Sequence, residues 1–453
     1  MLKEKEKEKK KKSKSTKGTS NFRLISASFF LLIMAGSLLL MLPISSHEGK
    51  VTPFIDCLFT AVSATCVTGL VVRDTATYWS GFGQAVILTL IQIGGMGVIT
   101  IGLAIMKVSG KKIGLSQRTT MMDSISAPQM GGIVRLTGFI LKMSALIELI
   151  GALLLMPVFC SDFGFPKGLW YSVWHSISAF CNAGFDLMGV REPFSSLCTY
   201  SANIYLNMII MLLIIVGGIG FLVWEDIGKN KLHLKKYTLQ SKVVLLTSLV
   251  LIILPAVYFF FVEYAALPAG ERCISSLFQS VTARTAGFNT QDLAEMDESG
   301  TMIMIILMLI GGSPGSTAGG MKTAVFAVLF LSAITVFSRR NDVECFGRRL
   351  PEESARNAGA VLFMYLALFL TSGVIISRTE GLPLLTCLFE TGSAIGTAGL
   401  TLGITTSLST LSRVILMLLM FFGRVGGLTL IYAAVGSSEG TKSKLPMEKI
   451  SVG

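Results

Sequence analysis

The chain has 453 residues, of which 52% are hydrophobic and 15% charged, with a mean hydropathy of +0.68. A soluble domain carries about a quarter charged residues, so this composition excludes an ordinary soluble enzyme or binding domain and fits one large membrane bundle. The net charge of +12 is concentrated at the start, where residues 3–17 are nearly all Lys, Glu and Ser.

Residues 1–21 read as a disordered, basic cytoplasmic tail. A nucleic-acid arm does not fit, because no aromatics interleave and an apolar run follows at once. The run is also too long for a cleaved signal peptide, and the LPISSHEG after it lacks a small-x-small site. Eight apolar blocks then follow, at 24–42, 85–106, 133–159, 204–224, 243–262, 301–310 with 324–337, 361–376 and 414–435. Each approaches or exceeds the roughly 20 residues that cross a bilayer.

Basic residues gather in alternate loops: the first tail; Lys107, Lys111, Lys112 and Arg118; Lys229, Lys231, Lys235, Lys236 and Lys242; Arg339, Arg340, Arg348, Arg349 and Arg356; and Lys442, Lys444 and Lys449. The positive-inside rule places all five segments, and both termini, in the cytoplasm. The chain therefore leaves and returns four times. Each excursion contains a semi-polar stretch too short to span: FTAVSATCVTGLVV (59–72), WHSISAFCNAGFDL (174–187), FQSVTARTAGFNT (278–290) and FETGSAIGTAGLTL (389–402). Their glycines, Gly69, Gly184, Gly287 and Gly399, recur at a near-constant period, which is the mark of repeated architecture. The third copy is one residue shorter between Ala283 and Gly287.

The predicted fold is all-α: four parallel helix–pore loop–helix repeats around a central pore, with eight spans and four re-entrant loops. The repeats occupy 22–118, 119–236, 237–350 and 351–436, and residues 437–453 form a second cytoplasmic tail. The short descending helices are predicted at 53–64, 167–179, 270–283 and 381–394. Uncoiled backbone is tolerated at membrane depth only where protein buries it or a watery cavity solvates it. Four such loops on one axis offer rings of carbonyl oxygens to a monovalent cation. Glycine can turn its carbonyl inward at positive φ, and the helix C-termini aim negative partial charge at the same centre. The candidate filter is Cys66, Val67, Thr68 and Gly69; Cys181, Asn182, Ala183 and Gly184; Thr285, Ala286 and Gly287; and Gly396, Thr397, Ala398 and Gly399.

The block after the third loop is interrupted by Gly311, Gly312, Ser313, Pro314, Gly315, Ser316, Thr317, Ala318, Gly319 and Gly320. Helix cannot persist cheaply through such a run. The segment reads as a flexible plug on the cytoplasmic side of the filter. GSTAGGMKT (315–323) mimics a phosphate-binding loop, but Met321 separates Gly320 from Lys322 and no strand precedes it. Arg424 lies inside the last block, where a charge by default faces a cavity or a partner. The expected partners are carbonyls of the plug. Lys322 is expected nearby, repelling cations below the filter.

Other polar groups read as structural. Asp56 and Glu390 are expected as caps or field-tuning groups. Asn182, Asp186, Asn289 and Arg284 are expected to brace the loops. Glu148 and Glu263 are expected to pair with basic groups or lie at interfaces. The eight cysteines contain no C-x-x-C and read as small apolar residues. His47, His175 and His233 are dispersed, which argues against a metalloenzyme. An ion-coupled transporter of another small solute is the alternative function, although its usual inverted repeats are not the pattern here.

SVTARTAGFNT (280–290), GSPGSTAGGMKT (312–323), IQIGGMGVIT (91–100) and FCNAGFD (180–186) resemble the Trk/Ktr/HKT superfamily of potassium transporters, over residues 22 to 436. With eight spans and no extra N-terminal helix pair, the chain is closer to the Ktr membrane subunit than to the longer Trk subunit. The resemblance implies K+ uptake across the plasma membrane, often Na+-linked, with one selectivity glycine per repeat and an intramembrane gating loop latched by the arginine at position 424. It also implies a homodimer carrying a peripheral ring of nucleotide-binding regulatory subunits, for which the basic loops offer a docking face. No covalent cofactor and no nucleic-acid partner is expected. Plant-type members can carry Ser at the first glycine, so Gly69 favours K+ over Na+.

Overall fold

The computed structural model describes residues 23–102, 114–125, 131–231 and 233–427. Both predicted tails, Lys107, Lys111, Lys112 and the end of the last apolar block lie outside them.

Apart from a two-strand hairpin, Glu344–Cys345 with Arg348–Arg349, the described chain is helical. Four helices are long and apolar enough to cross a membrane: Arg23–Met41, Ile133–Phe163, Leu239–Glu263 and Glu352–Glu380. A fifth crossing follows if the bent pair Ile204–Gly218 and Phe221–Asn230 counts as one. After each long helix comes a short one: Phe54–Cys66, Phe165–Phe180, Ala269–Thr282 and Leu384–Gly396. These lie within a few residues of the predicted bounds. Their starts are set by proline, at the N-cap (Pro53, Pro268, Pro383) or in the first turn (Pro166). There the missing N–H costs nothing, because that donor has no partner within the helix.

A second helix then follows each short one: Gly81–Met96, Ile204–Gly218, Glu298–Ile310 and Thr410–Val425. Ser80, Asn203 and Ser409 cap three of them by accepting from Gly83, Leu206 and Ser412 backbone N–H groups. The sequence predicts one interrupted block, but all four of these helices break. Each stops at a glycine with positive φ: Gly97 (86°), Gly220 (99°), Gly311 (63°) and Gly426 (90°). At Gly220 the chain bends by 96°. The reason is close approach. A Cβ at Gly94, Gly217 or Gly423 would stand 2.0, 1.9 or 2.1 Å from the carbonyl oxygens of Thr65, Phe180 and Ile395 at the ends of short helices. The breaks carry a recurring signature: IGGMG, VGGIG, IGGSPG and FGRVG.

Burial is distributed as a lipid solvent requires. The short helices hold fully buried Phe59, Trp174, Phe180, Phe278 and Phe389, while the long helices expose Leu31, Leu254, Phe363 and many others. So broad an apolar surface marks a membrane contact. The short helices and the loops after them therefore sit in the interior.

Substituting Gly217→Ala forces a Cβ onto the Phe180 carbonyl and is expected to destabilise the fold by about 1–3 kcal/mol. Gly359→Ala meets open space in mid-helix and is expected to be neutral or stabilising. Thermal unfolding of the two purified variants in detergent checks the contrast.

Candidate functional site

At the end of each short helix the backbone alternates in hand. Val67, Asn182, Thr285 and Thr397 have φ of 57°, 58°, 75° and 50°. The next residues, Thr68, Ala183, Ala286 and Ala398, are at negative φ, and Gly69, Gly184, Gly287 and Gly399 return to 96°, 70°, 82° and 81°. An ordinary strand points successive carbonyls to opposite sides, whereas alternating hand turns them to the same side. Val67, Thr285 and Thr397 are β-branched residues in a region that disfavours them, which costs about 1–3 kcal/mol each unless the surroundings impose it.

The four glycines form a closed ring. A Cβ on Gly69 would lie 3.2 Å from the Gly184 Cα and 3.3 Å from the Gly399 Cα, and one on Gly287 would lie 2.9 Å from the Gly184 Cα and 3.4 Å from the Gly399 Cα. Each such Cβ would also strike a carbonyl oxygen of a neighbouring stretch, those of Ala183, Ala286, Ala398 and Thr68. Only glycine fits at these places.

The missing residue of the third stretch has a structural counterpart. Thr68, Ala183 and Ala398 donate their N–H to the carbonyl five residues back, at Ser63, Ser178 and Ser393, all at 2.8 Å. Ala286 donates to Thr282, four residues back, at 3.0 Å. The shortening is thus absorbed in the helix end, and the glycine keeps its place in the ring. Side chains brace the loops: Ser63 Oγ accepts from Gly69 N–H at 3.1 Å, and Ser178 Oγ and Trp174 Nε1 donate to the Phe185 carbonyl at 2.6 and 3.0 Å. In the amide orientation that satisfies both its oxygen and its nitrogen, Asn182 donates to the Phe180 and Ile214 carbonyls at 3.3 Å. Arg284 donates to the Ser248 carbonyl at 3.1 Å, and Asn289 Nδ2 donates to the Gln291 carbonyl at 3.2 Å. Asp186 accepts from Met188 N–H at 2.8 Å.

Several expectations need correction. Asp56 is not a cap; it is buried and paired with Arg73 and Arg413, each at 2.9 Å, which ties the first short helix to the helix Thr410–Val425. Glu148 has no basic partner among the described residues; Gln92 donates to both its carboxylate oxygens, at 2.9 and 3.1 Å. Glu263 accepts instead from the Asp297 backbone N–H at 3.1 Å. Glu390 accepts from the hydroxyls of Thr401 and Thr405.

A cavity of about 330 Å³ opens on one side of the ring and is lined by all four glycines together with Asp74, Asp186 and Asp292. Against the ends of the second and fourth short helices lies the segment 311–322. Thr317 Oγ1 donates to the Phe180 carbonyl at 3.0 Å, and Gly320 is close enough that a Cβ there would be 2.8 Å from the Gly396 oxygen. The segment also donates from Ser313 and Thr317 N–H to the Gly218 and Gly217 carbonyls, at 3.1 and 3.3 Å, and from Gly320 N–H to Gly423 at 3.2 Å. Arg424 donates to the Thr317 carbonyl of the segment and, on its other side, to the carbonyls of Gly94 and Gly95. Lys322 Nζ donates back to the Ala318 carbonyl at 2.7 Å. A second cavity, of about 320 Å³, is lined by Gly315, Ser316, Lys322 and Arg424. Among the described residues no group of three His, Cys, Asp or Glu could hold a metal.

The arrangement defines a helical membrane protein with uncoiled main chain at its centre. Residues 2–443 match the model of the TrkH family, described as a cation transport protein. The chain belongs to this family, whose members are transporters rather than enzymes. It is 39% identical to the potassium/sodium uptake protein NtpJ of Enterococcus hirae, over 96% of this chain and 98% of that protein. It is 39% identical to the Ktr system potassium uptake protein B of Bacillus subtilis, over 91% and 92%. The crystal structure of the potassium transporter TrkH from Vibrio parahaemolyticus has the same fold, with a TM-score of 0.71 at 19% identity, over 92% of this chain and 85% of that one.

Replacing Arg424 by Ala removes the charged donor that ties segment 311–322 to the neighbouring helix. Hydrogen bonds from charged groups contribute about 1.5–3 kcal/mol, so amide hydrogen exchange across 311–322 is expected to accelerate by about tenfold or more. The exposed control Arg378→Ala is expected to leave it unchanged.

Proposed function

We propose that the chain takes up K+ across the plasma membrane through a gated pore, as the membrane subunit of a Ktr-type system. The observation that carries this reading is the closed ring of Gly69, Gly184, Gly287 and Gly399, preceded in every stretch by backbone of alternating hand. Carbonyls turned to one side in four converging stretches replace the hydration shell of a monovalent cation. The short helices end at these stretches and contribute negative field, and the acid-lined cavity outside concentrates cations. The filter comprises the fifteen residues named above, from Cys66 to Gly69 and their counterparts.

The topology that accompanies this reading is four parallel repeats and eight crossings, with both termini cytoplasmic and repeat bounds as predicted from the sequence. The order long helix, short helix, loop, broken helix recurs four times and supports it. Segment 311–320 with Lys322 and Arg424 acts as the gate: it stands at the base of the filter, and Arg424 latches it to a helix of the first repeat. No nucleotide-binding fold accompanies it in the described residues, so the opening signal comes from peripheral nucleotide-binding subunits docked on the basic loops of a homodimer. The names of the relatives, which include potassium and sodium uptake, support K+ as the cargo and Na+ as the coupling or activating ion.

Uptake of radioactive Rb+ into proteoliposomes, with and without Na+, tests the reading. Gly69→Ser and Gly184→Ser are expected to lower the preference for K+ over Na+ by about tenfold, because a side chain there collides with the neighbouring carbonyl. Deletion of 311–320 is expected to raise flux. Unchanged selectivity in the first pair would refute the filter, and unchanged flux in well-folded deletion protein would refute the gate.

A further inference from the structure

Glu148 lies within the apolar helix Ile133–Phe163, 9% exposed, with no cation beside it among the described residues. A carboxyl group in a crossing helix is expensive and by default marks a functional role. Its surroundings here are specific. Gln92, two residues before the close-packed Gly94, donates through Nε2 to both carboxylate oxygens, at 2.9 and 3.1 Å. That fixes which way the amide faces. Its oxygen is left to accept from the Cys181 thiol, at 3.6 Å. Cys181 is fully buried and opens the second filter stretch, three residues before Gly184. The same turn of helix holds the second short helix, since Ser176 Oγ donates to the Glu148 carbonyl at 2.6 Å. Gly95, whose carbonyl Arg424 binds, packs directly on the Cys181 sulfur: a Cβ there would be 2.8 Å away.

We propose that Glu148 and Gln92 are positioning residues for ion selectivity, acting on the second filter stretch through Cys181. The inference rests on the filter reading given above and extends it to a side-chain relay outside the pore. The acid orients the amide, the amide oxygen holds the thiol, and the thiol fixes the point where the short helix gives way to the left-handed residue Asn182. A thiol is a weak donor, so the geometry depends on the acceptor being held in place. The acceptance of two contacts from one NH2 by the two Glu148 oxygens supplies that constraint. The third stretch has a counterpart at the same offset from its glycine. Arg284, three residues before Gly287, is anchored to Ser248 on its own long helix, Leu239–Tyr258. Each of these two stretches is thus tethered to the long helix of its own unit at the same register, by different chemistry. In the second unit the tether passes through a residue of the first unit's broken helix, so a shift of that helix at Gly97 or of the Arg424 latch is transmitted to the second filter stretch.

The test measures Rb+ uptake and its inhibition by Na+ in proteoliposomes, for full-length protein with an unchanged gel-filtration profile. Gln92→Leu and Cys181→Ala are expected to lower K+-over-Na+ preference by about tenfold, the cost of one lost buried hydrogen bond at the filter. Cys181→Ser keeps a donor and is expected to lose less of that preference than Cys181→Ala. The decisive variant is the exchange Gln92→Glu with Glu148→Gln. The amide introduced at position 148 then donates to the carboxylate introduced at position 92, which still accepts from Cys181. The preference is therefore expected to return to within about threefold of wild type, while each single change alone is impaired. A merely structural role would lower yield or thermal stability without moving the ion preference, and it would not single out the exchange for rescue. Wild-type preference in Gln92→Leu, or an exchange variant no better than its parents, would overturn the proposal while Gly184→Ser still altered selectivity. If Gly184→Ser were also silent, the filter reading and this relay would fall together.

Discussion

The structure depends on one constraint: main chain that is neither helix nor sheet lies in the middle of an apolar bundle and must have its polar groups satisfied there. Every other feature follows from meeting it. The short helices are buried because they carry that backbone inward, and the long helices expose Leu, Ile and Phe because lipid is their solvent. Serine and threonine at the helix ends bond the loops, as Ser63 does to Gly69 and Ser178 to the Phe185 carbonyl. Among the described residues the carbonyls that remain, on residues of alternating hand, accept no hydrogen bond from the chain, and the proposed cation site is built on them.

The same constraint explains the breaks. Glycine at 94, 217 and 423 lets the second helices approach the ends of the short helices within a distance no side chain tolerates. The chain then turns at Gly97, Gly220 and Gly426. In this signature Arg424 occupies the place held by Gly95 and Gly218 in the other copies. A side chain at Gly95 would strike the Cys181 sulfur, so the first copy cannot hold an arginine at that place. The three carbonyl partners of Arg424 join segment 311–322 to the first broken helix.

Much of this was legible in the sequence. The four glycines could be found because their neighbours share a pattern and their period is long and regular. The third copy's missing residue could be counted, although only the backbone shows that Ala286 recovers the register by bonding four residues back rather than five. The interruption between Ile310 and Thr323 was visible as a run of Gly, Ser and Pro. The other three breaks were hidden, since a lone GG-x-G among Ile, Leu and Phe reads as ordinary small residues in a crossing helix. Recurrence of IGGMG, VGGIG and FGRVG was the available signal. The partners of Asp56, Glu148 and Glu263 were not legible, because pairs such as Asp56 with Arg413 join residues more than three hundred positions apart. A charge in isolation does not state its counterpart.

The most direct measurement is crystallographic: anomalous scattering from Rb+ or Tl+ soaked into crystals of the protein. The account predicts peaks on the axis enclosed by Gly69, Gly184, Gly287 and Gly399, within coordinating distance of carbonyls from all four stretches. Strong peaks confined to other places in a well-ordered crystal, with none on that axis, would contradict it.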